Sequence, residues 1–430
     1  VSRLLVRGGR VIDPAQGLDG ERDVLLEGGR VARVEKKIAA PADAEVLDAA
    51  GYLVTPGLID IHVHLREPGQ EAKENVATGA AAAVAGGFAS VACMANTLPV
   101  NDSRLVTEHI LAAAARAGLA RVYPIGAISK GLEGEQLAPF GQLVAAGCVA
   151  FSDDGRPVAN AELMRRALEY AQHYGVPVIQ HAQDLDLSGD GVMHEGTASA
   201  CCGLPGIPGA AEDVMVARDL LLAEDSGGRY HVAHLSTARA LRLVREAKAR
   251  GLAVTCEVTP HHLLLTDDAV PGSGFDSNFK MQPPLRAASD VAALLEGLAD
   301  GSIDALATDH APHTVDEKRL EFQEAPFGIV GLETALPLAL DRLVRGGVVP
   351  LARLIELLTS GPARVLGLPG GTLAPGAPGD VTVIDLDREV DVAAARFHSR
   401  GRNTPFAGWK LTGAAIATVV AGRVVFRADA

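Results

Sequence analysis

The chain has 430 residues and a formal net charge of −14, with 48% hydrophobic and 21% charged residues. That apolar content excludes a disordered chain, and the acidic balance excludes the basic stripe of a nucleic-acid binder. Only 4% of residues are aromatic, so the core must be built from Ala, Val, Leu and Ile, and 47 Gly with 24 Pro imply many turns. The length fits one large domain and a small one.

In chain order, residues 1–54 read as short strands: Leu4–Val6, Val11–Ile12, Asp23–Glu27 and Val31–Glu35, punctuated by Gly8-Gly9 and Gly28-Gly29. Beyond them, apolar β runs fall at Leu58–His62, Ser90–Met94, Arg121–Ile125, Cys148–Phe151, Pro177–His181, Tyr230–His234, Ala253–Glu257 and Ala305–Thr308. Segments of helical period lie between them, clearest at Glu74–Val84, Leu105–Ala117, Glu162–His173, Ala211–Glu224 and Ala238–Arg250. Short β runs alternating with helices in this way predict an α/β protein, a (β/α)8 TIM-like barrel over 55–371. A doubly wound open sheet is second choice, because no GxGxxG follows the first strand. Asp380–Asp385 and Ile416–Phe426 are again strand-like, the latter with a Gly turn, so 1–54 and 372–430 are expected to meet in one small composite β domain. The Ala-rich run Gly79–Ala95, broken by Gly86-Gly87, reads as a buried helix and a strand rather than a membrane span.

The cysteines Cys93, Cys148, Cys201, Cys202 and Cys256 form no CxxC pair. A disulfide framework is not expected, and a reducing cytoplasm is. The N-terminal VSRLLVRGGRVIDP lacks the apolar core of a signal peptide.

The first barrel strand ends in His62 and His64, which are two apart and so share one face. The bland reading is a pair of satisfied histidines; the sharper one is a metal site on a rigid strand. His181, His234, Asp154 and Asp309 also stand where β runs end, a placement with no reason to recur in core histidines. Such N/O donors suit Zn²⁺, and Mn²⁺, Co²⁺ or Fe²⁺ accept the same set. The set exceeds what one tetrahedral zinc needs and is sufficient for two metals sharing a carboxylate.

At this point the chain resembles the dihydroorotases of the long, class I bacterial type, in the metal-dependent amidohydrolase superfamily. HVHLREPG (62–69), MANT (94–97), SDDG (152–155), QHAQD (180–184), HVAHLST (231–237), VTPHHL (258–263), KMQPPLR (280–286), TDHAPH (308–313) and PFG (326–328) occur in order over nearly the whole chain. The resemblance implies a zinc-dependent, reversible cyclisation of N-carbamoyl-L-aspartate to L-dihydroorotate in pyrimidine biosynthesis, with one or two Zn²⁺ per chain. It implies that His62, His64 and Asp309 hold one metal and His181 and His234 the other. Asp154 is expected to bridge them, with Asp153 the weaker choice and no lysine near the fourth strand's end. A metal-activated hydroxide would attack the ring amide, with Asp309 as general acid/base. Arg66 is expected on the same face as His64, its fork suited to the substrate carboxylate. His64, Asn96, His313 and the backbone of Phe327 and Gly328 would add substrate contacts, as would Gln282, where the family more often has Asn. A homo-oligomer and an association with aspartate carbamoyltransferase are implied partners.

His231 should face away from His234, His261 and His262 supply no expected ligand, and Cys201-Cys202 read as packing residues. His109, His173, His194 and His398 belong to no motif. The alternatives are an allantoinase or dihydropyrimidinase-like enzyme, the latter disfavoured by the absent lysine while Arg66 with Asn96 argues for a substrate with a free carboxylate, or a non-catalytic scaffold for the transferase, disfavoured because every ligand position is filled.

Overall fold

The computed structural model describes residues 2–429. Eight parallel strands run through its centre: β1 (Leu58–Val63), β2 (Phe88–Cys93), β3 (Arg121–Pro124), β4 (Phe151–Ser152), β5 (Val178–Gln180), β6 (Tyr230–Val232), β7 (Val254–Val258) and β8 (Ala305–Leu306). β1–β3 form one sheet, and β4–β8 form another in the order β8-β7-β6-β5-β4. Single parallel bridges join their edges, Gly126 with Phe151 beyond β3 and Val63 with His310 beyond β8. Every residue of β1 and β2 is buried, as a parallel sheet covered on both faces requires.

Each β run expected from the sequence overlaps one of these strands. The regular part is shorter at β4, where Cys148–Ala150 lie outside it, and at β8, which ends at Leu306. The residues after the strands turn away to build the site. The expected helices are present as Val76–Ala85, Arg104–Ala117, Ala161–Tyr174, Ala210–Ser226 and Ala238–Ala249. Three of them end at a glycine in the left-handed cap conformation, Gly118, Gly175 and Gly227. The Ala-rich run is indeed a helix and a strand, with Gly86-Gly87 between. Among the described residues no helix is long and apolar enough to cross a membrane.

A second sheet takes strands from both ends of the chain. Its order is Arg423–Arg427, Lys410–Val420, Val381–Asp391, Leu53–Pro56, Arg3–Asp13, Leu18–Glu27 and Arg30–Glu35, with Glu45–Asp48 also paired to Arg3–Asp13. One expectation changes here. Gly8-Gly9 is no turn but a bulge in one continuous strand: the register slips between Val6 and Gly9, and Asp23 Oδ1 accepts from Gly8 N at 2.8 Å. A side chain at Gly9 would also meet Val54, its Cβ only 2.4 Å from Val54 Cγ2. The Gly turn expected within 416–426 is present, with Gly422 standing between the end of one hairpin arm and most of the next.

This sheet is tied to the parallel strands by buried hydroxyls. Thr382 Oγ1 donates to Gly87 O at 2.7 Å and accepts from Leu58 N at 3.3 Å, while Thr418 Oγ1 donates to Val84 O at 2.7 Å. Arg121 adds an ion pair to Asp380 at 2.7 Å. Thr382 thus closes backbone groups at the start of β1 and just before β2. Thr382→Val keeps the shape but leaves those groups unpaired. It is expected to cost about 1–3 kcal/mol, read as a lower midpoint in urea denaturation with the m-value unchanged.

Candidate active site

The chain leaving β1 carries His62 as its penultimate strand residue and His64 just beyond. Asp60, two residues earlier, is fully buried and accepts from His62 N at 3.1 Å and Thr308 N at 3.2 Å, so one carboxylate oxygen joins β1 to the segment after β8. The turns after β6 and β8 place His234 and Asp309 with φ of 29° and 48°, and Arg66 has φ 61°. Non-glycine residues take such angles only where surrounding structure enforces them, a pattern concentrated at functional sites.

Two groups of potential metal donors result: His62, His64 and Asp154, and Asp154, His181 and His234. All are buried, and within each group the donor atoms lie within 4.8 Å of one another. Asp154 is common to both. Its Oδ1 is 3.5 Å from His62 Nε2, 3.6 Å from His181 Nδ1 and 3.3 Å from His234 Nε2, and its Oδ2 is 3.4 Å from His64 Nε2. Asp309 Oδ1 lies 3.1 Å from His64 Nε2 and 3.4 Å from His62 Nε2. Asp153 points elsewhere: its Oδ1 accepts from Ile128 N and Ser129 N at 2.8 and 3.0 Å.

The ring protons are assigned by acceptors behind the histidines. His62 Nδ1 donates to Glu257 Oε1 at 2.6 Å, His64 Nδ1 to Asn96 Oδ1 at 2.9 Å and His181 Nε2 to Gln183 Oε1 at 2.9 Å. Each of these rings therefore turns its other nitrogen toward Asp154. His181 Nδ1 and His234 Nε2 approach to 2.9 Å. His62 Nε2 and Asp154 Oδ1 are buried without a hydrogen-bond partner. Converging ring nitrogens and a shared carboxylate fit a divalent cation.

The electrostatics agree. Burial pushes His62 down, yet Asp154, Asp309 and Glu257 hold it well above its ordinary value. Burial pushes Asp154 up, yet the His62 charge and the close approach of His181 and His234 hold it well below the usual carboxylate range. Asp309 is likewise held low against burial by His62 and His64. The cluster keeps its carboxylates ionised and demands positive charge between them.

A cavity of about 290 Å³ opens over these donors, lined by His64, Asp154, His181, His234 and Asp309 and also by Arg66, Asn96, Gln282, His313, Phe327 and Gly328. Every expected site residue except the deeper His62 reaches it. Arg66 is 8% exposed, which rules out the surface ion pair that Glu67 or Glu71 could offer. The reason for its placement differs from the sequence argument, since the strand has ended and the left-handed backbone turns the side chain. Its Nε donates to Pro312 O at 3.3 Å. Asn96 orients His64 as well as facing the cavity. Gln282 Nε2 donates to Gln183 Oε1 at 2.6 Å, and His313 Nε2 to Phe327 O at 2.8 Å.

Several supporting residues escaped sequence reasoning. Glu257 holds His62 and also lies 3.3 Å from His231 Nε2 through its second oxygen, so His231 faces Glu257 as part of the scaffold. Asn403 accepts from His313 N at 3.2 Å and donates to Ala311 O and Gly328 O at 3.0 and 3.1 Å. His262 spans Thr259 and Pro283, while burial pushes the neighbouring His261 down to about 4, and both stay outside the donor groups. For Glu257, an acidic residue at a strand's end was a usable signal; for Asn403 the sequence offered none.

Residues 51–240 match the dihydro-orotase-like sequence family, and residues 203–426 match the amidohydrolase family. A dihydroorotase of Anaeromyxobacter dehalogenans (strain 2CP-C) is 61% identical over 98% of this chain and 97% of its own. The chain belongs to the dihydroorotase family. Another member, the dihydroorotase of Geotalea daltonii, is 57% identical over 99% of this chain and all of its own length. Among solved structures, the L-hydantoinase (dihydropyrimidinase) of Arthrobacter aurescens is similar at a TM-score of 0.88 and 26% identity, covering 99% of this chain and 96% of that one. The D-hydantoinase (dihydropyrimidinase) of a Thermus species gives 0.81 and 27%, covering 99% and 95%. Like other dihydroorotase-family members, the chain is a cyclic amide hydrolase with a small-molecule substrate.

Glu257→Gln weakens the acceptor that orients His62. Metal affinity is expected to fall about 10–100-fold, measured as metal retained against a graded chelator series, with little change in the folded fraction.

Proposed function

We propose that this centre carries out the reversible closure of N-carbamoyl-L-aspartate to L-dihydroorotate with loss of water. The observation that carries the reading is one cavity in which two donor groups sharing Asp154 stand beside a buried, charged Arg66. His62, His64 and Asp309 would hold one Zn²⁺, His181 and His234 a second, and Asp154 both. Bound there, such cations would supply Lewis acidity for activating water and polarising the amide carbonyl.

The remaining chemistry belongs to the chain. Burial pulls Arg66 down only to about 10, so it stays cationic near neutral pH, and its planar fork suits a bidentate carboxylate contact. Asn96 offers its amide, His313 and Gln282 their side chains, and Phe327 with Gly328 their backbone, to the rest of the ring. Asp309 is held ionised and is therefore a base at neutral pH. In hydrolysis it takes a proton from the attacking water and delivers it to the departing ring nitrogen; in ring closure the same carboxylate works in reverse. The parallel strands are read as a closed (β/α)8 barrel over 55–371, supported by the bridges Gly126–Phe151 and Val63–His310. The composite β domain is read as 1–54 with 372–430.

The test compares turnover of dihydroorotate, dihydrouracil and hydantoin, with metal stoichiometry. Wild type is expected to hydrolyse dihydroorotate by preference. Arg66→Lys should raise its KM about tenfold or more. Asp154→Ala should lose metal and at least about 10²-fold in kcat, whereas unchanged metal and rate in that variant would remove Asp154 from the centre.

A further inference from the structure

Two lysines grip the segment that ends in the cavity wall. Lys280 is 3% exposed and Lys318 is partly buried, yet neither forms an ion pair among the described residues. Their partners are backbone carbonyls: Lys280 Nζ donates to Gln323 O at 2.7 Å, and Lys318 Nζ to Pro326 O at 2.9 Å and Gly328 O at 3.2 Å. The Lys280 ammonium also lies 4.6 Å from the centre of the Phe327 ring, within cation–π range. All these contacts fall on one segment, 323–328, whose end supplies Phe327 and Gly328 to the cavity wall. Gly328 N donates back to Lys280 O at 2.9 Å.

Withdrawing an ammonium from water without a carboxylate partner is costly. The cost shows in both groups: burial pushes Lys280 down to about 8, and burial with the Lys280 charge pushes Lys318 down to about 7. A methionine would fill the same volume without that cost. What the ammonium groups add is a grip on three carbonyls and positive charge behind an apolar ring. We propose that Lys280 and Lys318 are positioning residues of the substrate cavity, holding the Phe327–Gly328 wall by its carbonyls and favouring an anionic substrate. This rests on the dihydroorotate reading above.

The experiment measures kcat and KM for dihydroorotate, across ionic strength, in wild type, Lys280→Met, Lys318→Met and Lys280→Arg. Metal content and Tm are followed in parallel. Each Met variant is expected to raise KM about tenfold with kcat within about threefold, and to flatten the rise of KM with salt. Lys280→Arg should restore most of the affinity. Loss of Tm and kcat with the salt dependence retained would mean a purely structural role and overturn the proposal, as would KM within about twofold of wild type in both Met variants. Should a Met variant fail to fold, the salt dependence of Lys318→Gln, which keeps an amide donor but no charge, decides in the same way. Calorimetric titration with dihydroorotate reads the same affinity difference without turnover. A wild type that binds but does not turn over therefore counts against the functional reading alone.

Discussion

Everything at this centre depends on burying the Asp154 carboxylate among four imidazoles. A carboxylate at 3% exposure is tolerable only if positive charge or donors surround it. The rings cannot all be donors, because three have committed their protons outward to Glu257, Asn96 and Gln183. The remaining ring nitrogens and the carboxylate thus form a nest for cations. The surrounding framework keeps that nest from collapsing onto its own hydrogen bonds.

That framework works through strand ends. Parallel strands give stiff, evenly spaced backbones, and short excursions after them aim one side chain each. Asp60 locks the first and last of these excursions together beneath the donors. The sheet from the two ends of the chain braces the opposite side through Thr382 and Thr418, so the parallel layer carries load on both flanks.

Strand order, the main helices and the donor residues were legible because they rest on local signals: apolar runs, helical period, and polar residues that recur where β runs stop. Motif order then raised Arg66, Asn96, His313, Phe327 and Gly328. What stayed hidden arises from contacts between distant segments. Gln183 and Glu257 look ordinary until the rings they orient are in place. Asn403 lies in SRGRN, a stretch without catalytic character, and becomes meaningful only when folded against Ala311 and Gly328. Gly8-Gly9 was misread because a bulge and a tight turn make the same demand for positive φ. Arg66 shows a correct residue reached by the wrong geometry: period-two reasoning fails once a strand has ended.

The place of Asn403 in the chain has a consequence for assembly. All six metal-donor residues, from His62 to Asp309, precede it, and a ribosome releases them first. The cavity wall at His313 and Gly328 is thus completed by a later part of the chain than the one that supplies the donors.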